Sequence, residues 1–322
     1  MQSETGVMQI VVVGGGSVGL LFAARLARGG QDVAVVTRSS LQSNQLSREG
    51  LTFHSLDGAR DVVKIRSQPI ENGLPFADLY LLTVKQTDLP GLLPELRRLH
   101  DSARVIALQN GMGHQELLAK SLSEHQCYFA INTEGAKRLS GTEVRHTGSG
   151  VVRIGPWEKN HTENDALVSS FVAAAASCGI HAHLEDAIKP FAWRKLVANA
   201  LINPLTALFD ISNGDLLENR HTLGLMRELF AEASAVAEAN GQKMGEEQWQ
   251  EIVTICRNTS RNLSSMLQDV KRQKRTEVQS INGYLALKGK EAGISTPLHE
   301  VLLRLILLKT DMGTGEEGGD SK

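Results

Sequence analysis

The chain has 322 residues, 41% of them hydrophobic, 22% charged and 4% aromatic, with a formal net charge of -2. That length and composition suit two domains of ordinary size with aliphatic cores. A near-neutral balance without a long Lys/Arg run offers no footprint for nucleic acid or for an acidic membrane surface, which leaves small molecules, or a second copy in a homodimer, as the expected partners.

The first element is a β-branched run, Ile10–Val13, followed by an alanine- and leucine-rich helical stretch. Ile10 to Ala27 is apolar enough to resemble a signal peptide, but it lacks a basic n-region and carries three consecutive glycines. A buried strand and the helix after it explain it better. No segment approaches the roughly 18 to 20 uninterrupted apolar residues of a membrane-spanning helix. Between strand and helix, Gly14, Gly16 and Gly19 form Gly-x-Gly-x-x-Gly, with Gly15, Ser17 and Val18 between them. The first glycine permits a tight turn, the second lets a diphosphate approach the backbone, and the third allows close helix–strand packing, with the anion at the helix N-terminus. A glycine-rich turn without a ligand is the alternative. The flanking strand and helix favour nucleotide binding.

The next strand, Val33–Thr37, ends on Arg38, Ser39 and Ser40 where a site for NAD would carry an Asp or Glu for the ribose 2′-hydroxyl. An arginine there suits the 2′-phosphate of NADPH, although a solvated strand-end arginine is also possible. Leu51 to Arg66 reads as an antiparallel pair split by Asp57-Gly58. Leu79–Val84 is a buried strand that delivers Lys85 to its carboxyl end, where open α/β sheets bind ligands and where a lysine can also simply snorkel. Val105–Leu108 follows, then Asn110-Gly111, which is either a turn or a presenter of its amide to a ligand. Val144 to Ile154 reads as a second strand pair turning at Gly148-Ser149-Gly150, and both pairs decorate the main sheet. His181 and His183 alternate on an apparent strand without a third metal ligand at a usable spacing. Cys127, Cys178 and Cys256 are widely separated and odd in number, which signals neither a disulfide framework nor a zinc site and favours the cytoplasm.

After about Asp186 the β signals stop. The expected helices are Phe191–Leu208, Leu223–Asn240, Glu246–Arg257, Ser265–Arg272, Glu277–Lys288 and Leu298–Lys309. The domains expected are therefore 1–186 and 187–312, with 313–322 as a disordered tail. Lys195, Asn199 and Asn203 stand at i, i+4 and i+8, on one helix face. A solvated polar stripe would explain them, yet asparagine is a poor helix former and Pro204 removes a backbone hydrogen bond, so the stretch is shaped by something beyond helix stability. Ser265 and Gln268 have the spacing of a capping box, and Glu277 that of a first-turn glutamate beside the helix dipole.

The ordered motifs VVVGGGSVG, TVKQTD, LQNGMG, WRKLVANALINPLTAL and SSMLQDVKRQKRTEVQSINGY resemble the ketopantoate reductase family along nearly the whole chain. The resemblance implies an α/β Rossmann-type N-terminal domain followed by an all-α C-terminal domain, with NADPH meeting a 2-oxo acid in a cleft. It implies reduction of 2-dehydropantoate to pantoate, which feeds pantothenate and coenzyme A synthesis. It assigns Lys195 as proton donor, Glu277 as its aid, and Asn199, Asn203, Asn213 and Ser265 to the substrate. Lys85, Asn110, Ala136 and Glu277 match positions around the cofactor or the reacting centre, Ala136 within the variable segment NTEGAKR. The alternatives are a relative acting on another 2-oxo acid and an NADPH-binding regulator without turnover. Retention of the lysine, asparagines and glutamate speaks against the latter.

Overall fold

The computed structural model describes residues 8–159 and 165–314. The chain divides into two compact units, one running to Gln109 and resuming over His114–Lys189, the other comprising Asn110–Gly113 and the chain from Pro190 onward.

The first unit contains β1 (Gln9–Val13), α1 (Ser17–Arg28), β2 (Asp32–Thr37), α2 (Ser40–Glu49), β3 (Leu51–His54), β4 (Arg60–Val63) and β5 (Arg66–Pro69). It continues with β6 (Leu79–Leu82), α3 (Leu93–Leu96), β7 (Arg104–Ala107), α4 (His114–Leu118), β8 (Cys127–Asn132) and β9 (Gly135–Arg138). Finally come β10 (Glu143–Gly148), β11 (Val152–Gly155), α5 (Ala166–Ser177) and β12 (Ala182–Leu184). Eight strands form one sheet in the order β12-β11-β8-β7-β6-β1-β2-β5, parallel except where β11 meets β8. Ile10, Val12, Val33, Val35, Leu79 and Leu81 pack against Leu20, Leu21, Phe22 and Leu26 of α1. Continuous burial of β1, β2 and β6 explains why they read as apolar runs rather than alternating ones. β1 pairs with β2 on one side and β6 on the other, so strand order reverses beside β1. Ligands of open α/β sheets bind at the carboxyl ends of strands at such a reversal. The residues that follow β1, β2 and β6 there are Gly14, Arg38 and, three beyond its strand, Lys85.

Two strand expectations need correction. The turn at Asp57-Gly58 does join β3 and β4, with Gly58 at φ 86°, but this hairpin belongs to a separate four-stranded sheet ordered β4-β3-β10-β9. Val144 to Ile154 is no hairpin at all. β10 pairs with β9 and β3, whereas β11 pairs with β8 and β12, so Gly148 to Gly150 carries the chain from one sheet to the other. A Cβ on Gly150 would stand 2.3 Å from the Thr133 carbonyl carbon, and only glycine fits that passage. The strands β5 (RSQP) and β9 (GAKR) lack an apolar alternation, and cross-strand partners alone make them strands. His181 and His183 are exposed, and among the described residues no group of three or more His, Cys, Asp or Glu could hold a metal ion.

The second unit is helical: α6 (Lys189–Phe209), α7 (Asp215–Glu218), α8 (Arg220–Ala239), α9 (Glu246–Asn258), α10 (Ser265–Lys271), α11 (Tyr284–Glu291) and α12 (Pro297–Thr314). A π turn, Gln279–Gly283, leads into α11, so Glu277 lies in a bend ahead of the helical backbone instead of in a first α turn. The cap of α10 is Ser264, whose Oγ accepts from the Leu267 N–H, while the Gln268 amide donates to the Leu263 carbonyl. Ser265 therefore forms no capping box and its hydroxyl is exposed at the first helical position. α12 extends to Thr314, two residues into the expected tail; residues 315–322, and those before Met8, lie outside the described residues. Among the described residues no helix is long and apolar enough to cross a membrane.

Pro204 sits inside α6 and has no N–H for the Ala200 carbonyl four residues back. The wholly buried Asn282, from the π turn, donates its Nδ2 to that carbonyl at 3.0 Å. The same amide donates to Nδ1 of His299 at 3.0 Å, and His299 Nε2 donates to the Leu229 carbonyl at 3.1 Å. This side-chain chain joins α6, the π turn, α8 and α12. It holds the stretch that carries Lys195, Asn199 and Asn203.

Candidate active site

In the first unit each glycine of the loop after β1 has a distinct reason. Gly14 adopts φ 126°, and a Cβ there would lie 2.7 Å from Thr83 Oγ1. A Cβ on Gly19 would lie 2.0 Å from the Gly14 carbonyl oxygen, so α1 can approach the strand only with glycine there. A Cβ on Gly16, the N-cap of α1, would meet nothing within 4 Å, and no side chain caps the helix. A crowded first glycine, an open second and a crowded third are what a diphosphate cradle at a helix N-terminus requires. The residues present fit a dinucleotide.

Arg38 follows β2 with its side chain 88% exposed, its nearest counter-charge being Asp88 at 3.7 Å. Ser39 beside it caps α2 by accepting from Gln42 N–H at 3.3 Å, which places a second helix N-terminus next to the guanidinium. Lys85 is half-buried beyond β6. Ala136 lies opposite His146 in the second sheet, two residues before Arg138 and on the same face of β9. Neither Gln42 nor Arg138 stands out in the sequence, yet both side chains bond the Gly15 carbonyl, at 2.9 and 3.0 Å. One comes from α2 and the other from the second sheet, 123 residues away from Gly15, and no local pattern records that pairing.

The second unit gathers three of the expected residues. Lys195 Nζ donates to Asn110 Oδ1 at 2.7 Å, and Asn110 Nδ2 donates to Glu277 Oε2 at 3.2 Å. An ammonium can only donate and a carboxylate can only accept, so the amide has one orientation that serves both. Asn110 is held from beneath as well: the Met112 N–H donates to the Ser280 carbonyl at 2.8 Å, and a Cβ on Gly111, at φ 75°, would stand 2.5 Å from that oxygen. Asn110, expected around the cofactor or the reacting centre, is thus bonded to both Lys195 and Glu277. Burial pulls the Lys195 ammonium down to about 8, against the opposing influence of the Glu277 carboxylate.

Asn199 is half-buried and Asn203 is buried to 6% exposure, which rules out a fully solvated stripe. Thr206 Oγ1 lies within bonding distance of the Asn203 carbonyl (3.0 Å) and of Ser264 Oγ (2.7 Å), linking α6 to the start of α10 and hence to Ser265. Asn213 N–H donates to the Asn262 carbonyl at 3.0 Å and its Nδ2 to Thr259 Oγ1 at 2.9 Å, while its buried Oδ1 has no partner among the described residues. A buried acceptor of that kind is costly unless a ligand or water completes it.

The chain matches the family model described as ketopantoate reductase PanE/ApbA over residues 10–159, and the one described as its C-terminal domain over residues 187–310. A 2-dehydropantoate 2-reductase of Vibrio cholerae is 32% identical over 304 residues, covering 93% of this chain and 97% of that protein. A second, of Bacillus subtilis, is 34% identical over 287 residues, covering 89% and 92%. The crystal structure of a PanE/ApbA family ketopantoate reductase from Ralstonia eutropha superimposes with a TM-score of 0.85 at 28% identity, covering 95% of this chain and 99% of that one. A D-mandelate dehydrogenase solved with NADH shares the fold, with a TM-score of 0.87 at 23% identity. Matched in both halves of its length, this chain belongs to the ketopantoate reductase PanE/ApbA family of oxidoreductases.

Proposed function

We propose that the chain reduces 2-dehydropantoate to pantoate with NADPH. The observation that carries this reading is the Lys195–Asn110–Glu277 chain of hydrogen bonds, which supports catalysis rather than nucleotide sensing. Gly14 to Gly19 would hold the diphosphate and Arg38, beside Ser39, the 2′-phosphate. Ala136 and Lys85 would complete the nucleotide site, as the family resemblance implies. When bound, NADPH supplies the hydride for the carbonyl carbon.

Every other task falls to the chain. Lys195 donates a proton from Nζ to the substrate carbonyl oxygen, where negative charge develops. With its ammonium brought to about 8, the group is protonated at neutral pH and still gives the proton up readily. Asn110 fixes Nζ through Oδ1, and Glu277 fixes the amide. Asn213 Oδ1 is suited to a substrate hydroxyl, Ser265 to the carboxylate, and Asn199 and Asn203 to orienting the body of the substrate. The cytoplasm suits the protein, since Cys127, Cys178 and Cys256 are all free thiols, which a reducing compartment maintains.

The test is NADPH oxidation with ketopantoate beside pyruvate, 2-oxoisovalerate and oxaloacetate. The reading expects the highest kcat/KM with ketopantoate. A higher value with another 2-oxo acid reassigns the substrate, and absence of oxidation with all of them ends the reductase reading.

A further inference from the structure

We propose that Arg138, with Gln42, is a positioning residue of the nucleotide site: the two side chains clamp the Gly15 carbonyl and thereby set the glycine loop in its diphosphate-receiving form. The proposal rests on the nucleotide reading above and adds to it a residue pair from outside the Gly-x-Gly-x-x-Gly motif.

Gln42 Nε2 lies 2.9 Å from the Gly15 oxygen and 2.9 Å from that of Gly141, so it ties the loop to the turn between β9 and β10. Arg138 reaches the same structures from the other direction. Its Nη1 donates to the Gly15 oxygen at 3.0 Å, its Nε to the Ser140 oxygen at 2.8 Å, and its backbone N–H to Ser17 Oγ at 3.1 Å. Both lone pairs of the Gly15 oxygen are then engaged. In a planar trans peptide the C=O and the following N–H point in opposite directions. Holding the carbonyl between Gln42 and Arg138 therefore turns the Gly16 N–H away from both. Gly16 is the residue whose surroundings are open, whereas a Cβ on Gly15 would stand 2.5 Å from Gln42 Nε2. Gly15 is thus needed for the clamp, and the open Gly16 is left to the ligand.

Arg138 also carries charge. It is exposed, it has no carboxylate partner among the described residues, and its backbone bonds the first helical residue of α1. A guanidinium held at the N-terminus of that helix adds to the field that favours an anion. The diphosphate is common to NADPH and NADH, so the contribution is common to both, in contrast to that of Arg38.

The experiment is fluorescence titration of NADPH and NADH with the wild type, Arg138→Ala, Arg138→Lys and Gln42→Ala, together with thermal unfolding of each without nucleotide. Arg138→Ala should raise both dissociation constants by the same factor, roughly ten- to a hundredfold, the loss expected for a charge-assisted hydrogen bond. Its melting temperature should stay within about 4 °C of wild type. Arg138→Lys should recover part of the affinity, and Gln42→Ala should weaken both nucleotides equally through the neutral prong, which keeps the proposal testable even if Arg138→Ala fails to fold. Unchanged constants in Arg138→Ala and Gln42→Ala, or a loss confined to NADPH, would overturn the clamp. A wild-type protein that binds neither nucleotide overturns the nucleotide reading itself, a different outcome from a wild type that binds and variants that match it.

Discussion

Asn282 supplies to the Ala200 carbonyl the hydrogen-bond donor that Pro204 lacks. Asn282→Ala should leave the Ala200 oxygen and His299 Nδ1 without their donor in a buried setting, at about 1 to 3 kcal/mol for each unpaired acceptor. Pro204→Ala restores a backbone N–H to the helix, so the cost of Asn282→Ala in that background should shrink by about 1 kcal/mol. Urea unfolding of the two single variants and the double variant measures the coupling. An equal cost of Asn282→Ala in both backgrounds would show that the two residues are independent.

Two buried imidazoles predict an acid limb of stability. His114 and His299 are each drawn from the ordinary imidazole value of 6.5 to about 4 by burial, the Leu229 carbonyl opposing part of the effect at His299. The folded value lies below the unfolded one, so between about 6.5 and about 4 the unfolded chain binds more protons. Stability contributed by the neutral rings is present above about 6.5 and is lost as pH falls toward about 4. Urea midpoints at successive pH values should fall through that window, and His114→Leu should flatten its share. An unchanged slope in that variant would contradict the assignment.

Much of the site was legible because its chemistry is local. The glycine loop, the apolar runs of β1, β2 and β6, and the polar stripe on α6 each occupy one short segment with a regular period. What was not legible depends on tertiary neighbours. The Gly148–Gly150 segment looks like a hairpin turn because both flanking runs are strands, but they pair in different sheets. The cap of α10 falls on Ser264, one residue before the Ser265 that the spacing to Gln268 singles out. The bonds of Asn110 to Lys195 and Glu277 span 85 and 167 residues, beyond any spacing rule. The helix expected at Glu277 starts late because a π turn, invisible to a 3.6-residue period, carries Asn282 to Ala200.

Under the proposed reading, Arg38 selects NADPH over NADH. Its guanidinium is exposed and only loosely paired with Asp88, so it is available to a 2′-phosphate. Arg38→Ala should weaken NADPH roughly ten- to a hundredfold, the range of a lost charge-assisted bond, and leave NADH nearly unchanged. Parallel titrations of both nucleotides check this, and equal losses would remove Arg38 from the 2′-phosphate site.

The pH dependence of turnover should carry the signature of Lys195. Because its ammonium is drawn to about 8, kcat should be highest below that value and fall as pH rises through it. Asn110→Ala frees Nζ from its anchor and separates it from Glu277, so kcat should drop while the thermal midpoint changes little. A profile flat from pH about 7 to 9.5 would show that no such acid limits the reaction.

The proposed role of Lys195 as proton donor in ketopantoate reduction is tested by comparing steady-state NADPH oxidation by the wild type, Lys195→Ala and Arg194→Ala. Arg194 neighbours Lys195 in sequence but is half-exposed and faces Glu251 at 4.0 Å, which makes it the matched control. Lys195→Ala should cut kcat by about two to four orders of magnitude, the usual range for a positioned general acid. It should still bind NADPH, and Arg194→Ala should remain substantially active. A Lys195→Ala enzyme that turns ketopantoate over at a near-normal rate would contradict the account.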